Sequence, residues 1–399
     1  MKKRFLILVL FILTLFTTGC FDYTELNELG IISALGIEKE KNGNYLISAQ
    51  IVNIKKTGAE SGNEGISKVV TYTGKGKTIE QAIKNISNLS SKEVFLAHLK
   101  LVIIDDDVIK NDTSNIVDFF VRNTKIKSNF AISTSSKDSP LEILKTLTPL
   151  DSLPSEDIYN MIESSEKLVG NATILTFDDF LNDLLQYGIN PVYTNLEISG
   201  EKKGNEDTES LKKSTPNSIV EINNFIAFDK NGKVTKLNKE ESIGYSFIKN
   251  KVKTPVITAK CENEKNYFSV NILGSKNNIK FSEKNNTVTF ELKATGNISE
   301  ANCKKNYTAN QLNTMINKQT KKQISKYIKS SFELAQKNKN DFLGIGNYIY
   351  KNNKNYFDFK NKNWDKIGLN KLKLKIKINL KITKEGNTEE TVFERNKNE

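Results

Sequence analysis

The sequence predicts a mixed α/β (α+β) fold whose C-terminal part is rich in strands and contains one long helix. Short apolar and β-branched runs recur from residue 29 onwards, and amphipathic stretches with helical spacing lie between them. The 399 residues are 37% hydrophobic and 27% charged, which is typical of a globular chain with two or three domains.

The start of the chain predicts an export signal. Three basic residues at positions 2–4 precede the apolar run 5–16, and Gly19-Cys20 follows, as in a bacterial lipobox. The apolar run is shorter than the roughly 20 residues that cross a bilayer as a helix. We therefore expect acylation of Cys20, which would tether the chain to a membrane surface. Thr17 replaces the Leu that is usual in a lipobox, so an uncleaved N-terminal helix is the alternative.

The three cysteines are too few to indicate a disulfide framework. If Cys20 is acylated, Cys261 and Cys303 remain and could pair. Their spacing does not say whether they face each other, and we expect two buried free thiols.

The formal net charge of +12 is unevenly distributed. Residues 225–399 contain 35 Lys and Arg against 17 Asp and Glu, or +18, whereas residues 1–224 contain 24 against 30, or −6. A basic half beside an anionic leaflet gains about 1 kcal/mol per well-placed lysine, but a general bias towards lysine would produce the same imbalance. The export signal and the absence of a known motif disfavour nucleic-acid binding.

The first third of the chain predicts an α/β unit. Strands are expected at Leu29–Ile37 and Tyr45–Ile54, joined as a hairpin by a tight turn at Asn42-Gly43. A third strand is expected at Lys68–Thr73, followed by a helix over Thr78–Leu89 with apolar residues at helical spacing.

The same unit is expected to continue with a strand over Val94–Ile104, followed by Asp105-Asp106-Asp107, which can start the next helix. A helix is expected around residues 116–122. A strand at Phe130–Ser133 completes it. His98, the only histidine, lies among apolar residues of the predicted strand, so we expect a packed core histidine and not a catalytic one.

The middle of the chain predicts three helices and a strand. The first helix is expected to begin at Ser139-Pro140, with Pro in its first turn. The second is expected over Ser155–Leu168 and the third over Asp178–Tyr187. The strand is expected at Pro191–Ile198.

The last third predicts mostly strands, with turns at Asn277-Asn278 and Asn285-Asn286; the strands are Ile219–Phe228, Lys253–Cys261, Tyr267–Ser275 and Thr287–Thr295. Thr308 and Gln311 form a capping box for a long helix over 309–337. In Leu372–Ile382 apolar residues alternate with lysines, which predicts one apolar and one solvated face.

No pattern of catalytic residues is recognisable. There is no second histidine for a zinc site, no Gly-x-Ser-x-Gly elbow and no phosphate-binding Gly-x-x-x-x-Gly-Lys loop. Gly344-Ile345-Gly346 fits a helix C-terminal turn better than a dinucleotide site. We therefore expect no enzyme activity, no cofactor and no metal.

These segments divide the chain into a signal peptide, a first α/β domain, a smaller helix-rich domain, an exposed linker and a C-terminal mixed-sheet domain. The expected bounds are 1–19, 20–135, 136–200, 201–218 and 219–395, respectively.

Several short motifs occur along the chain in the order found in one family. They are Cys20-Phe21-Asp22-Tyr23-Thr24-Glu25-Leu26, Gly36-Ile37 before the strand Tyr45–Asn53, Phe95–Ile104, Phe225–Phe228, Glu240–Gly244, and Asp341–Gly346 with Asn363-Trp364. In these motifs the chain resembles the Ger(x)C lipoproteins, the C subunits of GerA-type nutrient germinant receptors of endospore-forming bacteria. Phe21 stands where the family usually has Trp.

The resemblance implies a three-domain lipoprotein without enzymatic activity on the outer face of the spore inner membrane. It also implies integral-membrane A-type and B-type partner subunits. Asp22 and Glu25 directly follow the anchor, and we expect them to contact a partner, unless Phe21 and Leu26 merely pack the edge of the first domain. A solute-binding lipoprotein that feeds a transporter is the alternative function, and an enzyme is the third.

Overall fold

The computed structural model describes residues 3–4, 25, 28–53, 68–148, 153–201, 214–262, 265–303 and 307–383. Cys20 and Asp22 lie outside these residues, as does most of the predicted linker.

Ten strands of the described residues form a large mixed sheet. They are β1 (Leu29–Lys39), β2 (Tyr45–Val52), β3 (Val69–Gly76), β4 (Glu93–Phe95), β5 (Leu101–Asp105), β6 (Ala131–Ser135), β7 (Leu175–Thr176), β8 (Val192–Gly200), β9 (Ser218–Phe228) and β10 (Val234–Lys236). The main order is β10-β9-β8-β6-β5-β1-β2-β3, while β4 pairs with β1 and β7 with β6. The central neighbours β1, β5, β6 and β8 run parallel to one another, and the outer pairs are antiparallel.

Helices cover both faces of this sheet. They are α1 (Ile79–Ile86), α2 (Asp106–Arg122), α3 (Pro140–Lys145), α4 (Pro154–Leu168) and α5 (Phe177–Leu185). The apolar faces of α1, α2 and α5 pack in one core, and those of α3 and α4 pack in a separate core on the opposite face. The parallel centre of the sheet is thus buried on both sides, as such sheets require.

A second sheet follows in the C-terminal half. After α6 (Lys239–Ile248) come β11 (Val256–Lys260), β12 (Tyr267–Ser282), β13 (Thr287–Ala301), α7 (Ala309–Asn338), α8 (Ile345–Asn352) and β14 (Lys373–Thr383). The strands are arranged in the order β11-β12-β13-β14, and only the last pair among them is parallel. One face of the sheet shares a core with α7.

The predicted fold class is confirmed, because the chain mixes helices and strands in two sheets with a long C-terminal helix. The N-terminal hairpin is present, and the capping box of Thr308 and Gln311 begins a helix that ends one residue beyond the predicted position 337. The domain bounds stay a prediction. The large sheet takes strands from both sides of residues 135, 200 and 218.

Two local predictions are wrong, and one helix was not predicted. The strand expected over Val94–Ile104 is interrupted between Phe95 and Leu101. Asn277-Asn278 lies inside β12 and not in a turn, because the two residues pair with Leu292 and Glu291 of β13. The buried Asn277 side chain donates to the carbonyl of Ile248 at 3.0 Å. Helix α6 was not predicted, since it is buried from Ser242 to Ile248 and has no polar face.

Candidate functional site

Glu25 and Glu28 are the described residues that directly precede β1 and the large sheet. Glu25 is exposed, and its carbonyl accepts the N–H of Glu28 at 2.9 Å. The carbonyl of Glu28 accepts the N–H of Glu93, also at 2.9 Å, which fixes the point where the chain joins β4. Leu29 follows Cys20 by nine residues, so the sheet begins within about 30 Å of that cysteine. Acylation of Cys20 and partner contact by Asp22 and Glu25 stay predictions.

His98 is exposed, which contradicts the prediction of a packed core histidine. It lies in the turn between β4 and β5, where Leu96 and Leu99 take the buried positions. Its ring centroid is 5.9 Å from that of Phe95. The apolar neighbours in sequence were misleading because a turn, unlike a strand, does not place alternate residues on opposite faces.

The three carboxylates of Asp105, Asp106 and Asp107 lie close together at the N-terminus of α2. Asp105 accepts the backbone N–H of Asp107 at 2.8 Å, and Lys110 pairs with Asp106 at 3.1 Å and with Asp107 at 2.7 Å. Acidic residues are stabilised at this end of a helix by its dipole. The cluster therefore starts the helix, as predicted.

A cluster of hydrogen-bonded polar residues lies where the segment before β8 meets the C-terminal half; we call Asn190, Asn340, Asp341, Trp364 and Asp365 the junction cluster. Asp341 is fully buried, and its carboxylate accepts three hydrogen bonds. The donors are the indole N–H of Trp364 at 2.7 Å and two backbone N–H groups of α8, at 2.7 and 3.1 Å. The carboxylate thus caps α8 and fixes the tryptophan.

Asn190 connects this arrangement to the large sheet. It follows α5 and precedes β8, and its side-chain amide donates to Asn340 Oδ1 and to Asp365 Oδ2, both at 2.9 Å. Its backbone N–H donates to the carbonyl of Asp341 at 3.0 Å. Asn340 in turn donates to the hydroxyl of Thr235 in β10 at 3.2 Å. The cluster therefore links the large sheet to the C-terminal half by directional bonds.

The electrostatics of the cluster are those of a buried structural site. Burial, followed by the nearby Asp365 carboxylate, raises the pKa of Asp341 to about 6, and the three donors oppose this shift. Burial also raises the pKa of Asp365, against the hydrogen bond from Asn190. Because its donors already occupy the Asp341 carboxylate, the cluster is suited to fixing geometry and not to moving protons.

The glycines of the Asp341–Gly346 motif permit close packing at this point. A Cβ on Gly346 would lie 2.3 Å from the indole nitrogen of Trp364, and a Cβ on Gly188 would lie 2.6 Å from the Cα of Gly346. Gly344 adopts a left-handed conformation, with φ of 73°, directly before α8. The prediction of a helix C-terminal turn here was wrong, since the motif begins a helix.

The Glu240–Gly244 motif also serves helix packing. A Cβ on Gly244 would lie 2.1 Å from the carbonyl oxygen of Tyr327, so only glycine lets α6 approach α7 this closely. Helix α6 also contacts the N-terminal half, because the Ser246 hydroxyl donates to the carbonyl of Gly170 at 2.7 Å.

The expectation of free thiols at Cys261 and Cys303 is wrong, because the two form a disulfide. Cys261 directly follows β11, and Cys303 follows β13. Lys260 pairs with Tyr267 and Phe268 pairs with Ala301, so the two cysteines flank the same end of β12. The strand register brings them together, and their separation of 42 residues gives no sign of it.

The comparisons with known proteins agree with this arrangement. The family model described as "Spore germination protein N-terminal domain" matches residues 22–198, and that described as "Spore germination B3/ GerAC like, C-terminal" matches residues 223–386. The chain belongs to the Ger(x)C family. Asn190 lies in the first match and Asp341 in the second, so the junction cluster joins the two parts that define a Ger(x)C protein.

Relatives of this Ger(x)C chain are found among the proteins of Bacillus subtilis (strain 168). It is 26% identical to "Spore germination protein KC" over 97% of each chain, and 23% identical to "Putative spore germination protein YfkR" over 92% of this chain and 93% of the relative. The solved structure titled "Crystal Structure of the GerBC protein" shares the fold, with a TM-score of 0.52 and 14% identity, and the match covers 87% of this chain and 96% of that one.

These relatives assign the Ger(x)C chain a role related to spore germination, and neither of the two Bacillus subtilis relatives is named as an enzyme. Among the described residues, no helix combines the length and the apolar character needed to cross a bilayer. The sequence motifs identified Asp341 and Trp364 as residues of interest. Asn190 and Asp365 had no such signal, because their partners are distant in sequence.

Proposed function

We propose that this chain is a non-enzymatic, membrane-anchored subunit of a nutrient germinant receptor and is required for germination in response to nutrients. In this proposal, acylated Cys20 holds it to the outer face of the spore inner membrane, beside integral-membrane A-type and B-type subunits. The observation that carries the proposal is that both family models match in order, over residues 22–198 and 223–386.

The junction cluster supports a role in scaffolding or coupling. Asn190 of the anchored N-terminal half is bonded directly to Asn340 and Asp365 of the C-terminal half, at 2.9 Å each. Two halves joined in this way keep a fixed relation, so a partner bound to one half is held in register with a partner bound to the other. Such a subunit needs surfaces for binding and no catalytic groups.

The alternative, a solute-binding lipoprotein, would be expected to have two similar lobes. The two sheets of this chain differ in strand number and order, with ten strands in the described part of the first and four in that of the second. Specific stabilisation of the protein by a small solute would favour the alternative.

Isolation of the tagged full chain from spore membranes tests the receptor proposal. We expect two integral-membrane germination subunits to co-purify in detergent. Isolation of the chain without any membrane subunit would contradict the proposal.

Charge reversal tests the expected partner contact by Asp22 and Glu25. Asp22→Lys with Glu25→Lys should lose the partners, whereas Glu201→Lys with Glu221→Lys, which reverses two exposed acids elsewhere, should retain them. Full recovery of the partners with the first variant would refute the contact and leave the receptor proposal standing.

A further inference from the structure

The four-stranded sheet has one face packed on α7 and an opposite face that is strongly basic. Along residues 274–282 of β12, 287–297 of β13 and 373–383 of β14, the outward positions carry seven lysines against one glutamate. We call these lysines the lysine face: Lys276, Lys280, Lys293, Lys373, Lys375, Lys377 and Lys381. All seven are exposed.

The register places these lysines on one surface. Lys276 is paired with Lys293 across β12 and β13, and the inward residues of β14, such as Ile376 and Ile378, pack against the C-terminal core. Successive outward residues of a strand lie roughly 6.6 Å apart, so the lysines of β14 extend over about 26 Å.

Neutralisation of this charge is incomplete. Glu291 accepts from both Lys280, at 2.7 Å, and Lys377, at 3.1 Å. The other five lysines have no ion pair with any residue that the structure describes. Like charges held this close repel one another, and an anionic partner would relieve the repulsion.

A depression lies within the lysine face, next to the bulge of β12. The register shifts between Ile272 and Gly274, and a Cβ on Gly274 would meet no atom within 4 Å. The depression has a volume of about 370 Å³, and its polar lining includes Lys276, Lys293 and Lys381. Three lysines that line one depression suit an anionic oxygen group such as a phosphate diester.

We propose that the lysine face binds the anionic headgroups of the phospholipids in the membrane to which the chain is tethered. This inference rests on the proposed membrane anchoring. A flat array of flexible lysines gains about fivefold in membrane partitioning for each lysine near an anionic leaflet. The C-terminal sheet would then lie against the membrane as a second contact besides Cys20.

The composition of the face favours lipid over an acidic protein. Protein interfaces are enriched in aromatic residues and Arg and depleted in Lys, and their strongest contacts are Trp, Tyr and Arg in pockets. The outward positions of residues 274–282, 287–297 and 373–383 are Lys, Thr, Asn, Ser, Gly and Glu. Leu273 is exposed in the bulge of β12 next to Gly274. An exposed apolar side chain can enter a headgroup layer.

Lysine acetylation followed by mass spectrometry tests the proposal with the full chain reconstituted in vesicles. In vesicles of phosphatidylglycerol and phosphatidylcholine at low salt, the seven lysines should react at least fivefold more slowly than in phosphatidylcholine alone. The difference should disappear in about 1 M salt, where the Debye length is about 3 Å. Lys322 and Lys337, exposed on α7, should react equally in both lipids.

A triple variant, Lys276→Gln, Lys293→Gln and Lys381→Gln, should abolish the protection of Lys373 and Lys375. The matched control is Lys322→Gln, Lys337→Gln and Lys354→Gln, which removes the same charge from exposed positions elsewhere and should retain the protection. Equal reactivity in both lipids would overturn the proposal, as would protection that appears only in native membranes containing partner proteins, since an acidic protein would then be the occupant. The assay involves neither partners nor germination, so its failure leaves the receptor proposal untouched.

Discussion

The indole N–H of Trp364 donates to the carboxylate of Asp341 across 2.7 Å, and both side chains are buried where the C-terminal half meets Asn190. This bond ties the start of α8 to the π-helical turn over Trp364–Gly368. Both residues belong to motifs that are recognisable in the sequence, and the structure explains why the two occur together.

Trp364→Phe should therefore lower the free energy of unfolding by about 1–3 kcal/mol, because a buried carboxylate oxygen loses one of its two donors. Urea denaturation measures this change. Tyr356→Phe is the control, since it removes a hydroxyl that donates to Asn286 at a half-buried site. It should cost less than about 1 kcal/mol. Equal losses in the two variants would contradict a special role for the Asp341 bond.

Gly346→Ala should destabilise the protein by at least about 2 kcal/mol, because the added methyl group would overlap the buried ring of Trp364. Gly274→Ala adds the same methyl group where no atom lies within 4 Å, and it should leave the stability nearly unchanged. Thermal or urea unfolding of the two variants compares them directly. A tolerated alanine at position 346 would mean that the packing is looser than described.

Removal of the disulfide by Cys261→Ala and Cys303→Ala should lower the free energy of unfolding by about 2–4 kcal/mol, chiefly by freeing a loop in the unfolded chain. A reductant should destabilise the wild type to a similar extent and leave the variant unaffected. Thiol titration of the unfolded, unreduced protein provides an independent measurement. Two reactive thiols besides Cys20 would show that the pair is not bonded.

The raised pKa of Glu38 should make the free energy of unfolding depend on pH. Its carboxylate accepts the N–H of Leu141 at 2.8 Å, but burial, with smaller contributions from Asp105 and Glu142, raises its pKa to about 7. The folded state therefore binds the proton more tightly than the unfolded state. The associated stability is present below about pH 4.5 and is lost as pH rises through about 7.

Glu38→Gln should accordingly flatten the pH profile of the unfolding free energy and stabilise the protein by about 1–2 kcal/mol above pH 7, after allowance for solvent screening. Glu40→Gln, which changes a neighbouring acid paired with Lys75, should not flatten the profile. A wild-type stability that stays constant between pH 4.5 and 7 would rule out the proposed role of Glu38.

Periodicity and capping chemistry predicted the regular elements well. The apolar stripe and the Thr308–Gln311 capping box gave the long helix, and alternation gave β14 with its exposed lysines. Helix α6 was not predicted because every residue from Ser242 to Ile248 is buried, which removes the amphipathic pattern. The local sequence pattern thus predicted these elements where one face is buried and the other is exposed to solvent.

Contacts between segments that are distant in the chain could not be predicted from the sequence. Cys261 meets Cys303 through the register of β12, and Asn190 meets Asp365 across 175 residues. His98 was placed in the core because the turn that exposes it contains no glycine or proline to mark it. In each case the deciding factor was tertiary packing.

Germination of spores in which the Cys20→Ala chain replaces the wild type tests the central claim most directly, with the membrane fraction of the protein measured alongside. The account predicts loss of both membrane association and the nutrient response, while the response to a receptor-independent trigger survives. Unchanged fractionation with an unchanged nutrient response would contradict it.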